Sequence, residues 1–98
     1  MQTLELAASE RVRFRATIEP WTPGATGGLI IAVFTDEAAT AIGGLRQMRV
    51  RGTLNGVEFT SNTMPRGGGR LALSVSRAMM AATGATVGSE VEIEVERA

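Results

Sequence analysis

Arg66-Gly67-Gly68-Gly69-Arg70 places three consecutive glycine amides between two guanidiniums, a composition that could receive an anion in a backbone nest. The same residues could instead reverse the chain, since glycine carries no Cβ penalty in tight turns. A phosphate loop of a nucleotide-binding fold runs strand, glycine loop, helix, and a lysine completes the cradle. Here the glycines lead into RLALSVS, which reads as a strand, and the protein has no lysine. Trp21, inside the Pro/Gly-rich stretch PWTPGATGG, could stack on a ligand or plug one end of a barrel. Trp21, Arg66, Gly67, Gly68, Gly69 and Arg70 are therefore the ligand-binding candidates.

Other chemistry is constrained by what is missing. The 98 residues contain no histidine, cysteine or tyrosine, which removes the usual neutral-pH base, the thiolate nucleophile and the commonest metal ligands. No cofactor and no metal are expected. Asp36 and Glu37 resemble a carboxylate pair but stand where first-turn acids stabilise a helix. Ser61, Thr63 and Ser74 have no visible activating base. An enzyme built only from Arg, Asp/Glu and Ser would need carboxylates converging in a pocket. The residue types present favour a non-catalytic role over an enzymatic one.

The elements that must position these residues follow from periodicity. In RVRFRATIE, Val12, Phe14, Ala16 and Ile18 alternate with Arg11, Arg13, Arg15, Thr17 and Glu19, the mark of a half-buried strand. The apolar run Leu29 to Phe34 predicts a strand covered on both faces. Thr35 reads as the N-cap of a helix of about two turns ending at Gly43 or Gly44. Asn55-Gly56, between two β-rich arms, predicts a type I′ hairpin with Met48, Val50, Gly52, Leu54, Val57 and Phe59 toward the core. Pro65 to Gly69 is expected to reverse the chain before the strand carrying Leu71, Leu73 and Val75. Ser76 caps a second helix closed by Gly84, and Met79 and Met80 fill core gaps. The last strand turns Val91, Ile93 and Val95 inward and Glu90, Glu92, Glu94 and Glu96 outward.

The fold class expected is mostly β: one domain over residues 1–98, a small closed or double-split barrel of about six or seven strands with two short helices. Ten acidic residues balance ten basic ones, all of them arginine, an arginine bias that reads as GC-rich coding. The arginine row Arg11, Arg13, Arg15 and the glutamate row near the C-terminus would each repel themselves if unpaired. Opposed charges on adjacent antiparallel strands stabilise by about 0.2–1 kcal/mol per pair, so the first and last strands are expected side by side. The alternative is that Arg11, Arg13, Arg15, Arg49 and Arg51 form a phosphate-gripping stripe, against which the zero net charge speaks.

From GTLNG through MPRGGGR and the capped helix to VGSEVEIEVE, the chain resembles a family of small bacterial domains of unknown function, sometimes fused to a YdeI/OmpD-associated helical segment. FRATIE matches the family's first strand, so the resemblance spans nearly the whole chain. It implies a double-split β-barrel like the AbrB and MazE DNA-binding domains. The chain departs from the family at Ser89, where Asp is usual, near Leu71, where a histidine is frequent, and at Ser76-Arg77, where Asn-Lys is usual.

These observations lead to a non-catalytic domain that binds a small molecule or a protein. The alternative is a nucleic-acid-associated regulatory module of AbrB/MazE-like architecture. A homodimer is allowed for. The longest apolar run is far short of the roughly 20 residues of a membrane helix, and MQTLELAASE lacks the basic start and apolar middle of a secretory signal, so a cytoplasmic location without a membrane partner is expected.

Overall fold

In the computed structural model, residues 11–25 and 27–98 are described; the MQTLELAASE start lies outside them. The alternating segment at the start becomes strand β1 (Val12–Pro20), with Val12, Phe14 and Ile18 buried. The apolar run becomes β2 (Ile30–Val33). Ile31 and Ala32 are sequence neighbours and so point to opposite faces, yet both are fully buried, which is the two-sided cover expected of an unalternating strand.

Helix α1 (Asp36–Ile42) follows, and the Ala38 N–H donates to Thr35 Oγ1 at 3.2 Å. Asp36 and Glu37 occupy its first turn and Gly43 closes it. β3 (Met48–Leu54) and β4 (Val57–Gly67) form the hairpin, with Asn55 at φ 49° and Gly56 at φ 84°, the positive values its turn requires. β5 (Arg70–Ser74) leads to α2 (Arg77–Thr83) and then to β6 (Glu90–Arg97). At α2, Ser76 Oγ accepts from the Met79 N–H at 3.1 Å, while the Ser76 N–H donates to Met79 Sδ at 3.4 Å. A thioether therefore stands where a capping box ordinarily has Glu or Gln.

The strands close in the order β1-β2-β5-β4-β3-β6, and every pairing is antiparallel. Six strands is the lower of the two numbers expected. The seam between β1 and β6 pairs Arg13 with Glu94 and Arg15 with Glu92, so the first and last strands are neighbours as the charge rows require. Inside, Ile18, Phe34, Val50, Leu54, Leu71, Leu73, Val91, Ile93 and Val95 make one core cluster. Phe14 and Phe34 stack there with ring centroids 4.4 Å apart. Among the described residues, no helix is long and apolar enough to cross a membrane.

One expectation is corrected in the glycine segment. Pro65, Arg66 and Gly67 do not turn: they belong to β4, Pro65 stands opposite Leu71, and the reversal is confined to Gly68 and Gly69. The register shifts between Pro65 and Gly67. A proline has no N–H for the ladder, and a bulge is one of the few places within a sheet that accepts it.

Candidate functional site

The early part of β4 turns its side chains alternately in and out, and Arg66, the residue within the register shift, reaches toward the end of β1. Its Nη2 donates to the Trp21 carbonyl oxygen at 3.3 Å, its guanidinium carbon lies 5.6 Å from the Trp21 ring centroid, and its Nη1 is 3.6 Å from Glu19 Oε1. That Nη1 is buried and has no hydrogen-bond partner among the described residues. The Trp21 N–H in turn donates to the Leu29 carbonyl at 2.8 Å. Arg66 and Trp21 thus meet at the base of the 21–29 loop, tying it to the barrel wall.

The remaining candidates stand apart from this pair. Gly67, Gly68 and Gly69 have φ of 98°, 63° and 75° and are exposed; Gly67 ends β4, and Gly68 and Gly69 form the β4–β5 turn. Arg70 is exposed and makes no ion pair among the described residues. With Arg66 directed toward Trp21, the two arginines do not converge on the glycine amides. Gly69 borders a small hollow of about 130 Å³ beside α1.

A more substantial concavity lies at the α2 end of the barrel. Gly27, Gly28 and Ile30 form one wall, Met80 and Arg77 of α2 another, and Val87 of the α2–β6 connection the third, around a cleft of about 310 Å³. Leu29 and Val87 are exposed apolar side chains beside and within it. No Cβ placed on Gly27 or Gly28 would meet another atom within 4 Å, so the glycine wall faces open space. The α2–β6 connection is fixed by the Thr86 N–H donating to Ser89 Oγ at 3.0 Å and the Ser89 N–H donating to the Thr86 carbonyl at 2.9 Å. Sequence reasoning named Gly27 and Gly28 only as loop formers and Met80 only as core filler. The available signal was an exposed apolar residue, Val87, in a turn.

A larger groove of about 560 Å³ runs over the outer face of the sheet, lined by Arg11, Arg51, Gly52, Glu58, Phe59, Thr60 and Glu96. Its charges largely satisfy one another. Arg51 Nε donates to Glu96 Oε2 at 2.9 Å and Arg11 Nε to Oε1 at 3.3 Å. The hydrogen bond from Arg51 holds the Glu96 carboxyl below its ordinary range, against a smaller desolvation effect and with help from both positive charges. Arg13 and Arg15 likewise meet Glu94 and Glu90, at 3.5 and 3.4 Å. Of the five arginines that could have gripped phosphate, four are held by glutamates and Arg49 alone makes no ion pair among the described residues.

Fold and surface define a class: a small, closed, all-antiparallel six-stranded β-barrel with a helix-walled apolar cleft at one end. A family model described as a domain of unknown function, DUF1905, matches residues 14–95, and the chain belongs to that family. No curated protein matches the chain.

Proposed function

We propose that the protein is a non-catalytic binding domain whose ligand is a small molecule received by the cleft between the 27–30 segment and α2. The observation that carries this reading is the cleft itself: about 310 Å³, apolar walls from Ile30, Met80 and Val87, and a glycine wall with nothing above it. Small-molecule sites are concave, mostly apolar and of roughly 300 Å³ or more, with few polar groups. Trp21 and Arg66 serve it indirectly, by holding the loop that supplies Gly27 and Gly28. Gly67, Gly68, Gly69 and Arg70 serve the β4–β5 turn.

The test is a fragment screen read by methyl NMR. Dose-dependent shifts confined to Ile30, Met80 and Val87 support the reading, and shifts elsewhere or none at all overturn it. Light scattering in the same samples separates a small-molecule site from an apolar face that joins two copies. A nucleic-acid-associated module of AbrB/MazE-like architecture would ask the outer arginines for phosphate contacts, and the β1 row is already engaged with glutamates. Fluorescence anisotropy with duplex DNA at two salt concentrations tests that alternative, because phosphate binding must weaken steeply with salt.

A further inference from the structure

Resting on the cleft reading above, we infer that the ligand is a small amphiphilic monocarboxylate, its apolar body against Ile30, Met80 and Val87 and its carboxylate on Arg77. Among the described residues, Arg77 is the only charged one lining the cleft. It is exposed and makes no ion pair among the described residues. Glu19 and Glu90 are engaged with other arginines, Glu19 with Arg66 at 3.6 Å and Glu90 with Arg15 at 3.4 Å. One cation at the rim of an otherwise apolar hollow selects one negative charge, and the planar guanidinium fork matches a carboxylate through two parallel hydrogen bonds. A phosphate dianion would need further positive charge, and among the described residues the lining supplies none beyond Arg77. Size points the same way, since about 310 Å³ lies at the lower edge of ligand sites, suited to a short acyl chain or a single ring with its acid group. Met80, unbranched and polarisable, lets the wall adjust to either shape.

The structure also provides a blocking substitution. A Cβ on Gly27 would meet no atom within 4 Å and its φ is not positive, so Gly27→Leu adds a bulky side chain to the glycine wall of the cleft at little expected cost to the backbone. Val87 is exposed, so Val87→Glu is a second variant compatible with folding; it sets a tethered carboxylate beside Arg77 to compete with the ligand.

The experiment titrates sodium octanoate, and in parallel 1-octanol, into the full chain, following the methyl resonances of Ile30, Met80 and Val87. Octanoate is expected to shift these methyls and to bind at least tenfold more tightly than octanol. Arg77→Gln is expected to bring the acid down to the alcohol's affinity. Gly27→Leu and Val87→Glu, each with an otherwise native methyl spectrum, should abolish the octanoate shifts. If acid and alcohol bind equally, or Arg77→Gln changes nothing, the carboxylate assignment is overturned while the binding cleft stands. If neither compound moves the cleft methyls but other fragments do, the assignment again fails alone. If no compound of any class moves them, both readings fall together.

Discussion

The guanidinium of Arg66 lies over the indole of Trp21, a residue 45 positions earlier in the chain, and donates to its carbonyl oxygen at 3.3 Å. This contact joins β4 to the loop that leaves β1, across a barrel exterior where no backbone ladder connects them. The same arginine faces Glu19 at 3.6 Å. One side chain therefore holds the loop through a π face and a carbonyl, and the end of β1 through a carboxylate.

Replacing Arg66 by Ala is expected to cost about 1–2 kcal/mol, from a partly desolvated cation–π contact and a charged hydrogen bond. Trp21 is the protein's single tryptophan, so its emission reports the change directly and should move to longer wavelength. Arg66→Lys keeps the charge but loses the planar fork, and an intermediate shift is expected. Unchanged emission together with an unchanged urea midpoint would show that the contact does not hold the loop.

Glu96 gives the stability a pH dependence of known sign. Its carboxyl is held below its ordinary value of about 4.5, first by the hydrogen bond from Arg51. In the unfolded chain that bond is gone and the group titrates at the ordinary value. The unfolded state therefore binds the proton more readily, and acid favours unfolding. The contribution is fully present above the ordinary value and disappears as the pH falls through the folded one. Glu96→Gln should lower the urea midpoint by a constant amount well above pH 4.5, and this difference should narrow in more acid solution. A difference that stays flat or widens in acid would rule out the Arg51–Glu96 bond as its source.

Much of the barrel was legible because its residues follow rules of short range. Period-two alternation set β1 and β6, Thr35 and Ser76 marked both helix starts, and the opposed arginine and glutamate rows placed first strand beside last. The candidate site was not legible in the same way. Gly27 meets Arg77 and Val87 only because the closed barrel brings the β1–β2 and β5–β6 connections together, and no spacing along the chain encodes that. Arg66 misled for a related reason. As a neighbour of three glycines it reads as part of an anion nest, but the strand continues through it and carries its side chain to Trp21.

Gly52 tests the closure itself. It sits in two ladders at once, opposite Phe59 on β4 and Val95 on β6. A Cβ at this position would stand 1.8 Å from the Glu94 carbonyl oxygen, a backbone atom that cannot swing aside. Gly52→Ala must separate β3 from β6, and a loss of about 3 kcal/mol is expected, at the upper end of overpacking costs. Gly27→Ala, into open space, should stay within about 0.5 kcal/mol of the parent. Equal midpoints for the two variants in urea would mean the strands do not approach so closely.

Thr63 is the one fully buried polar side chain among the described residues, and it works in both directions. Its Oγ1 donates to the Arg46 carbonyl at 2.9 Å and accepts from the Met48 N–H at 3.0 Å. Both backbone groups lie where the chain enters β3, so the hydroxyl fixes the start of that strand against β4. Thr63→Val keeps the shape and removes the hydroxyl, leaving two polar groups unpaired at an expected cost of about 1–3 kcal/mol. Thr63→Ser keeps the hydroxyl and removes only a methyl, an expected cost of about 0.8 kcal/mol. Hydrogen exchange at the Met48 amide should accelerate in Thr63→Val and stay near the parent rate in Thr63→Ser. If serine were the more damaging of the two, methyl packing rather than the hydrogen bonds would be what holds β3 in place.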